Sequence, residues 1–406
     1  MKILITTDAY DSMINGVAVS VKSLSTALRD AGNDVRILTL SQTHQSSKKE
    51  DVYYIGSMPL KIYPDARATF SFHDPYVKEI LEWHPDVIHS QSEFSTFVFA
   101  RKIAKKLNIP IIHTYHTLYE YYTHYFCPSK ALGQKIVAAG SRFICNRTDA
   151  VIAPTEKTAR VLENYNVTAP LNIIPTGLSL ERFQRPIDSS FKRQLRAQLH
   201  IPENAPVIVT LGRLAREKNV DFLIQQMQHP KLKQMKLHLI IVGDGPDRER
   251  LEAMVHNLGL RNTVHFTGMV SPENVAQYYR LGDVFVSASN SETQGLTYIE
   301  AMACGLPLLC LEDPCLNSVL IPAFNGFFFQ DADSFVQRCI ETFEVKDFLK
   351  FLQENALQCS FEFSKEAFAR RALQLYKNMK LKKEEKEKCT RFVCIPKQIW
   401  PKGMGY

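Results

Sequence analysis

Short apolar runs rich in Val and Ile recur along the chain and alternate with segments whose apolar residues have helical spacing. Strands buried on both faces have this continuous apolar pattern, and their alternation with helices predicts parallel sheets covered on both sides. The predicted strands of the first half span residues 3–7, 35–40, 87–89, 109–113, 150–154 and 173–175. Those of the second half span 207–211, 237–242, 264–267, 284–288, 307–311 and 326–329. We therefore predict an α/β protein with two doubly wound, Rossmann-like domains.

The two sets of strands divide near residues 175–178, and 406 residues are too many for one hydrophobic core. We predict an N-terminal domain of residues 1–177, a C-terminal domain of 178–380 and a basic, irregular tail of 381–406. A helical pattern at 365–380 could run back across the first domain. Ligands of open parallel sheets bind at the carboxyl ends of the strands. The functional cleft is therefore expected between the two domains.

Two carboxylates, Glu292 and Glu300, lie on either side of a predicted helix start in the segment 290–307. Gly295 between them allows close approach of the backbone to a ligand, and the first N–H groups of the helix form an anion site. A carboxylate beside a phosphate site is costly unless it binds hydroxyl groups, so the pattern predicts a nucleotide-sugar pocket. The alternative is two ordinary solvated glutamates, which the helix dipole favours at this position.

Two cations follow a predicted strand of the second domain. Gly212 ends the strand, and Arg213 and Lys218 come directly after it, where a guanidinium and an ammonium can neutralise a diphosphate leaving group. The alternative is a charged surface loop. Across the cleft, Asn15-Gly16 opens a helix, and Gly16 allows the backbone to approach a phosphate or a sugar. No GxGxxG follows the first strand, which argues against dinucleotide binding.

Two histidines end the fourth strand of the first domain. Strand alternation places them on opposite faces, so we predict that His116 faces the cleft, where it can bind a sugar hydroxyl or a developing charge, and that His113 is buried. No third ligand for a metal is apparent, and we predict no metal site. Asp331-Ala-Asp333 resembles a metal-binding Asp-x-Asp, but its place before a helical pattern favours an N-cap.

The net charge of +7 is concentrated in two segments. Residues 101–147 contain eight Lys or Arg against Glu120 alone, and residues 380–406 contain eight against three Glu. Because the rest of the chain is acidic, this pattern does not indicate a nucleic-acid partner. The absence of a signal-peptide pattern and of a membrane-spanning apolar run, together with nine cysteines in no framework spacing, favours a cytoplasmic protein.

The basic segment at 93–147 is interleaved with apolar and aromatic residues. Phe94, Phe97, Val98, Ile103, Ala104 and Leu107 share one face of a predicted helix, and Arg101, Lys102, Lys105 and Lys106 lie largely outside that face. Tyr119, Tyr121, Tyr122, Tyr125 and Phe126 follow, and then Lys130, Lys135, Arg142 and Arg147. Such a surface suits an anionic membrane. The alternative is that the apolar face packs on the sheet and the cations are solvated.

Taken together, these motifs over residues 1–380 resemble the retaining glycosyltransferases of family 4, which have the two-domain GT-B fold. The resemblance implies that Glu300 holds the donor ribose, that Glu292 lies by the donor hexose, and that Arg213 and Lys218 bind the diphosphate. It also implies a donor-binding set of Gly16, Gly212, Arg213, Lys218, Val270, Gln294, Gly295, Leu296, Thr297 and Glu300, and a catalytic set of His116, Glu292, Arg213 and Lys218. Asn15 and Gln294 depart from the family pattern, which often has Gly and Phe there.

The segments 97–106, 113–120 and 294–297 look most like those of bacterial diacylglycerol glucosyltransferases. That resemblance implies transfer of an α-glucosyl group from UDP-glucose to the 3-hydroxyl of 1,2-diacylglycerol, with no cofactor beyond an activating anionic lipid. It also implies a cytoplasmic protein bound peripherally to the inner face of the cell membrane. Three alternatives remain: transfer of another sugar or to another lipid, such as mannose to a phosphoinositide or a second glucose to a glucosyl lipid; a GT-B-like sugar-nucleotide epimerase; and a non-catalytic binding protein.

Overall fold

A computed structural model describes residues 1–10, 16–60, 67–69, 73–120, 123, 127, 129–185 and 189–393. The first half forms an α/β unit with these elements: β1 (Lys2–Thr6), α1 (Gly16–Asp30), β2 (Asp34–Leu40), β3 (Ser47–Lys49), β4 (Val52–Ile55), β5 (Met58–Pro59), β6 (Arg67–Ala68), α2 (Pro75–Trp83), β7 (Val87–Ser90), α3 (Ser95–Leu107), β8 (Ile111–Thr114), α4 (Lys130–Cys145), β9 (Ala150–Ala153), α5 (Glu156–Asn164) and β10 (Leu171–Ile173). Its main sheet has the order β10-β9-β8-β7-β1-β2-β4-β3, and only β3 pairs antiparallel.

The second half forms another α/β unit with these elements: α6 (Glu181–Gln184), α7 (Ser189–Gln198), β11 (Val207–Leu211), α8 (Val220–Gln226), α9 (Pro230–Gln234), β12 (His238–Val242), α10 (Arg248–Asn257), β13 (Val264–Gly268), α11 (Val275–Tyr279), β14 (Val284–Ser287), α12 (Leu296–Ala303), β15 (Leu308–Leu311), β16 (Gly326–Phe329), α13 (Ala332–Glu344), α14 (Lys346–Ser360) and α15 (Lys365–Val393). Its sheet is wholly parallel, in the order β13-β12-β11-β14-β15-β16.

Both sheets confirm the predicted strands and the doubly wound architecture. Each reverses its strand order beside its first strand, β1 or β11, and ligands of such sheets bind outside the carboxyl ends of the strands at this point. The sequence pattern missed β3 to β6. These strands are short, and every residue of β3 is exposed, so no apolar run marks it.

The last helix, α15, returns to the N-terminal domain, as the pattern at 365–380 allowed. Its buried residues recur with helical spacing and pack with β1 and β2 in one core: Phe368, Ala369, Ala372, Leu375, Tyr376 and Met379. Lys380 Nζ also contacts Asp86 Oδ1 at 2.6 Å. Residues 365–380 therefore pack on the first domain, which corrects the predicted boundary. The predicted irregular tail is helical from 381 to 393, and 394–406 lie outside the described residues.

Candidate active site

The helices α1 and α12 begin opposite each other at the domain interface. A β carbon built on Gly16, the first residue of α1, would lie 3.8 Å from Leu296 Cδ1, at the first residue of α12. Gly295 precedes α12 with φ +71°, and a side chain there would collide with the ring of Tyr298. Because helix N-termini present N–H groups without intrahelical partners, these two ends are a candidate anion site. Asn15 lies outside the described residues.

Glu292 and Lys218 form an ion pair beside this anion site. Lys218 Nζ donates to Glu292 Oε1, and the hydroxyl of Ser289 donates to the same oxygen at 3.1 Å. The Glu292 side chain is 17% exposed and that of Lys218 29%. Arg213 is turned toward a different carboxylate, because its Nη2 lies 2.7 Å from Glu217 Oε1. The structure thus pairs Lys218 with Glu292 and Arg213 with Glu217.

Glu300 lies one turn inside α12, as predicted, and its carboxylate is held from two sides. Tyr279 Oη donates to Oε2 at 2.9 Å, and Arg182 Nη2 approaches Oε1 at 3.4 Å. Burial raises the pKa of Glu300, and the contacts with Tyr279 and Arg182 oppose that rise. A buried carboxylate that keeps accepting capacity beside a helix N-terminus is suited to binding paired hydroxyl groups, such as those of a ribose.

The loop after β11 packs closely on the loop after β12. A β carbon at Gly243, where φ is +129°, would lie 2.0 Å from the carbonyl oxygen of Gly212. Gly212 in turn donates its N–H to the carbonyl of Val242 at 3.0 Å. These contacts fix the position of the backbone that bears Arg213. Val270, a member of the predicted donor-binding set, is half-buried and packs against the core of the C-terminal domain.

Gln294 has a role that the sequence did not predict. Its side chain is 5% exposed, its Oε1 accepts from the N–H of Thr176 at 2.8 Å, and its Nε2 donates to the carbonyl of Thr176 at 2.9 Å. Both polar atoms of the amide are therefore used by the segment that joins the two domains. The Gln294 side chain thus anchors the loop before α12, and its donor-binding role stays a prediction.

The start of α5 also contacts this loop from the N-terminal domain. Lys157 Nζ donates to the carbonyls of Asn290 and Glu292 at 3.0 and 3.2 Å and pairs with Asp313 Oδ2 at 2.8 Å. The hydroxyl of Thr155 donates to the carbonyl of Thr293 at 2.8 Å. These residues were missed, although the sequence has a signal: a cation in the first turn of a helix opposes the dipole and calls for an acidic partner.

His116 lies just beyond the end of β8 and is half-buried, whereas His113 is fully buried, as predicted. The Nε2 atom of His116 lies 2.6 Å from Gln91 Oε1, within the same domain. Burial and neighbouring His113 lower the pKa of His116 to about 4, while Glu93 acts in the opposite direction. The imidazole is therefore neutral at physiological pH, and it can exchange hydrogen bonds with a hydroxyl without adding positive charge.

Comparison with known proteins places this chain in a family. A model described as Glycosyltransferase Family 4 matches residues 14–182, and one described as Glycosyl transferases group 1 matches residues 191–359. The alpha-monoglucosyldiacylglycerol synthase of Streptococcus pneumoniae (strain ATCC BAA-255 / R6) is 31% identical over 93% of this chain and 85% of its own. The chain belongs to glycosyltransferase family 4.

Other relatives agree with this assignment. The alpha-monoglucosyldiacylglycerol synthase of Acholeplasma laidlawii is 29% identical over 93% of this glycosyltransferase and 96% of its own chain. The sulfoquinovosyl transferase SQD2 of Arabidopsis thaliana is 29% identical over 77% of this chain and 60% of its own. A solved structure of Anabaena HepE in complex with UDP matches with a TM-score of 0.71 at 17% identity, covering 93% of this chain and 100% of that one. The predicted GT-B fold is confirmed.

Asp331 confirms the predicted N-cap in this glycosyltransferase. Its side chain accepts from the N–H of Ser334 at 2.9 Å, and the Ser334 hydroxyl accepts from the N–H of Asp331 at 3.0 Å, which completes a capping box on α13. Among the described residues, no group of three His, Cys, Asp or Glu side chains is placed to hold a metal ion.

Proposed function

We propose that this glycosyltransferase transfers an α-glucosyl group from UDP-glucose to the 3-hydroxyl of 1,2-diacylglycerol, with retention at the anomeric carbon. The observation that supports it most is the Lys218–Glu292 pair beside the facing starts of α1 and α12. A cation and two helix N-termini suit a diphosphate, and a carboxylate at the same place suits the hydroxyls of a hexose. The names of two relatives, both alpha-monoglucosyldiacylglycerol synthases, support the lipid acceptor and the glucosyl group.

In this proposal the bond between the anomeric carbon and the diphosphate breaks, and its electron pair goes to the phosphate oxygen. The acceptor hydroxyl forms the new bond on the same face, and its proton passes to that leaving oxygen. Lys218, Arg213 and the N–H groups at 295–297 stabilise the departing negative charge. Arg213 must turn from Glu217 to do so, and its half-exposed side chain has room for that movement. Glu292 orients the hexose, Glu300 holds the ribose, and His116 binds a hydroxyl of the sugar.

We also propose that the protein binds peripherally to the inner, anionic face of the cell membrane. The apolar face of α3 is largely buried against the sheet, at Phe97, Ile103 and Ala104, which is the alternative that the sequence left open for this face. The cations Arg101, Lys102, Lys105 and Lys106 are exposed. Tyr121, Tyr122, Tyr125 and Phe126 lie outside the described residues. No helix within the described ranges is long and apolar enough to span a bilayer.

The helix α4 supplies further exposed apolar side chains. Leu132, Ile136 and Phe143 lie along one face of α4 and are 54%, 52% and 55% exposed. Lys130, Lys135 and Arg142 are its charged residues, and it has no acidic residue. Arg147, just beyond α4, also acts electrostatically on Arg101 of α3, so the two helices are neighbours. Apolar side chains flanked by cations suit the interface of an anionic bilayer.

The test is incubation of the purified protein with individual labelled sugar nucleotides and diacylglycerol in micelles containing anionic lipid. We expect labelled lipid with UDP-glucose alone. Labelled lipid with another donor would support the second candidate, a related transferase, which the sulfoquinovosyl transferase relative favours. Label confined to water-soluble products with every donor would contradict lipid transfer and favour an epimerase.

The leaving-group role is tested with Lys218→Ala. Loss of a fixed cation beside the departing charge is expected to lower kcat/KM by about 100-fold or more. Lys350→Ala is the control, because Lys350 is an exposed lysine on α14 that also pairs with a glutamate. A loss of only a few-fold in the Lys218 variant would contradict the role.

A further inference from the structure

A chain of buried hydrogen bonds leads from the C-terminal helix α15 to His116. Tyr376 Oη lies 2.5 Å from His89 Nδ1, and Gln91 Nε2 lies 3.0 Å from His89 Nε2. Gln91 Oε1 then lies 2.6 Å from His116 Nε2. Tyr376 and His89 are fully buried, and Gln91 is 1% exposed. The proposed mechanism does not use Tyr376, His89 or Gln91, although their hydrogen bonds lead to His116, which it does use.

The amide of Gln91 gives this chain a direction. An amide has one acceptor oxygen and one donor nitrogen, so Gln91 accepts from one histidine and donates to the other. Its oxygen faces His116, which must then have its proton on Nε2. Its nitrogen faces His89 Nε2, which must then be unprotonated, so His89 donates from Nδ1 to Tyr376. Thr114 Oγ1, at 2.7 Å from His89 Nε2, completes the surroundings of that nitrogen.

We propose that Gln91 is a positioning residue, which holds His116 as the Nε2–H tautomer and so keeps its Nδ1 as a hydrogen-bond acceptor for a hydroxyl of the bound substrate. The functional part of this inference rests on the proposed function, because it takes His116 as a group at the sugar. The tautomer itself does not, because it is a property of the protein without substrate. The hydrogen bond at one ring nitrogen sets the protonation of the other, and Gln91 is the partner of Nε2.

Among the groups around His116, Gln91 hydrogen-bonds its imidazole, so Gln91 determines the tautomer of His116. His113, at the end of β8, and His89, on β7, are the neighbouring histidines, and the pKa of His89 is lowered well below its ordinary value, chiefly by burial. Glu93, in the loop after β7, is the carboxylate that acts on His116, but its Oε2 accepts from Tyr119 at 2.7 Å and its Oε1 lies 3.5 Å from His113 Nε2. Tyr376 contributes the hydroxyl of α15.

The tautomer is measured by NMR on the full-length protein labelled with ¹⁵N-histidine, with the His116 signals assigned by their loss in His116→Gln. At pH 7 without substrate we expect His116 to be neutral with its proton on Nε2. Gln91→Met keeps the length and the burial but removes the amide, and it is expected to shift His116 toward a mixture of both tautomers. A wild-type proton on Nδ1, or an unchanged tautomer in Gln91→Met, would overturn the proposal, whatever the enzyme transfers.

The kinetic test compares Gln91→Met with Gln91→Glu. Without the hydrogen bond, kcat is expected to fall by about tenfold or more while KM for the donor changes less than about threefold. The carboxylate of Gln91→Glu can accept the same bond, so activity is expected to return at high pH. It should fall on acidification with a midpoint about one to three units above that of the wild type, because a carboxylate stabilises protonated His116. Melting temperatures report whether each variant is folded.

The outcomes separate a positioning role from a structural one. If both variants lose the same activity at every pH, Gln91 only maintains the fold, and the proposal is overturned. If the wild type transfers no sugar to lipid but has His116 in the expected tautomer that Gln91→Met changes, the proposed function fails and the positioning inference stands.

Discussion

Glu292 holds Lys218 in the free enzyme, so removing its charge should change nucleotide binding and sugar transfer in opposite directions. The Glu292→Gln amide can still accept from Ser289, but it no longer competes for the ammonium or repels a diphosphate. Two unit charges about 6 Å apart interact by about 0.7 kcal/mol in bulk water and by about 3 kcal/mol at an effective dielectric of about 20. Because the Glu292 side chain is 17% exposed and Lys218 29%, we take about 1 kcal/mol, which is about fivefold in Kd.

We therefore expect Glu292→Gln to bind UDP about fivefold more tightly and to transfer sugar about 100-fold more slowly, because a carboxylate at the hexose is lost. Isothermal titration calorimetry at low salt gives the Kd, and the gain should shrink in about 1 M NaCl, where screening shortens the range of charge interactions to about 3 Å. Glu354→Gln on α14 removes one charge from an exposed pair with Lys350 and serves as the control. Weaker UDP binding in Glu292→Gln would refute this reasoning, because it would mean that Glu292 holds the nucleotide itself.

Further predictions concern the ribose carboxylate, the domain contact and the membrane surface. Because the pKa of Glu300 is raised by burial, its charged form should be lost at a higher pH than for an ordinary glutamate. Because the terminal phosphate of UDP also protonates in this range, UDP affinity measured by calorimetry should weaken more on acidification from pH 7 toward 5 in the wild type than in Glu300→Gln, and equal pH dependence would contradict the role. The side chains of Lys157 and Asp313 are only 11% and 6% exposed, so their ion pair should contribute to stability. A double-mutant cycle of Lys157→Met and Asp313→Asn, measured by urea unfolding, should give a coupling free energy of about 1–3 kcal/mol. A coupling free energy near zero would show that the pair is not formed. A triple variant with serine in place of Leu132, Ile136 and Phe143 should sediment about tenfold less with anionic vesicles. The control Phe351→Ser, which alters a comparably exposed residue of the C-terminal domain, should sediment like the wild type. Unchanged sedimentation of the triple variant would contradict the membrane-binding role of α4.

The strands and the general position of the site could be predicted from sequence because local patterns determine them. Apolar runs mark strands buried on both faces, and the carboxyl ends of parallel strands must meet at one edge. Glu292, Glu300 and Lys218 each follow such a strand, so their convergence follows from topology. The periodic apolar residues of α15 likewise showed a helix that needs a surface to pack on.

Side-chain pairings across the chain could not be predicted in the same way. Arg213 pairs with Glu217 four residues away, and a pattern of two cations after a strand does not show which of them faces Glu292. The sequence left open whether the apolar face of α3 meets the membrane or packs on the sheet, because helical periodicity marks a buried face and a lipid-facing one alike. The structure shows that this face packs on the sheet. Exposure of the apolar residues of α4 depends on its tertiary position, which its sequence does not show.

The loop that bears Glu292 is held by both domains, and Gln294 contributes to this arrangement. From the N-terminal domain, Lys157 bonds the carbonyls of Asn290 and Glu292, and the backbone of Thr176 bonds the Gln294 amide. From the C-terminal domain, Lys218 holds the Glu292 carboxylate. A rotation of the domains that breaks the first set of bonds must release the backbone on which the second depends. The position of the proposed catalytic carboxylate is therefore coupled to the domain orientation, which neither domain's sequence pattern could show alone.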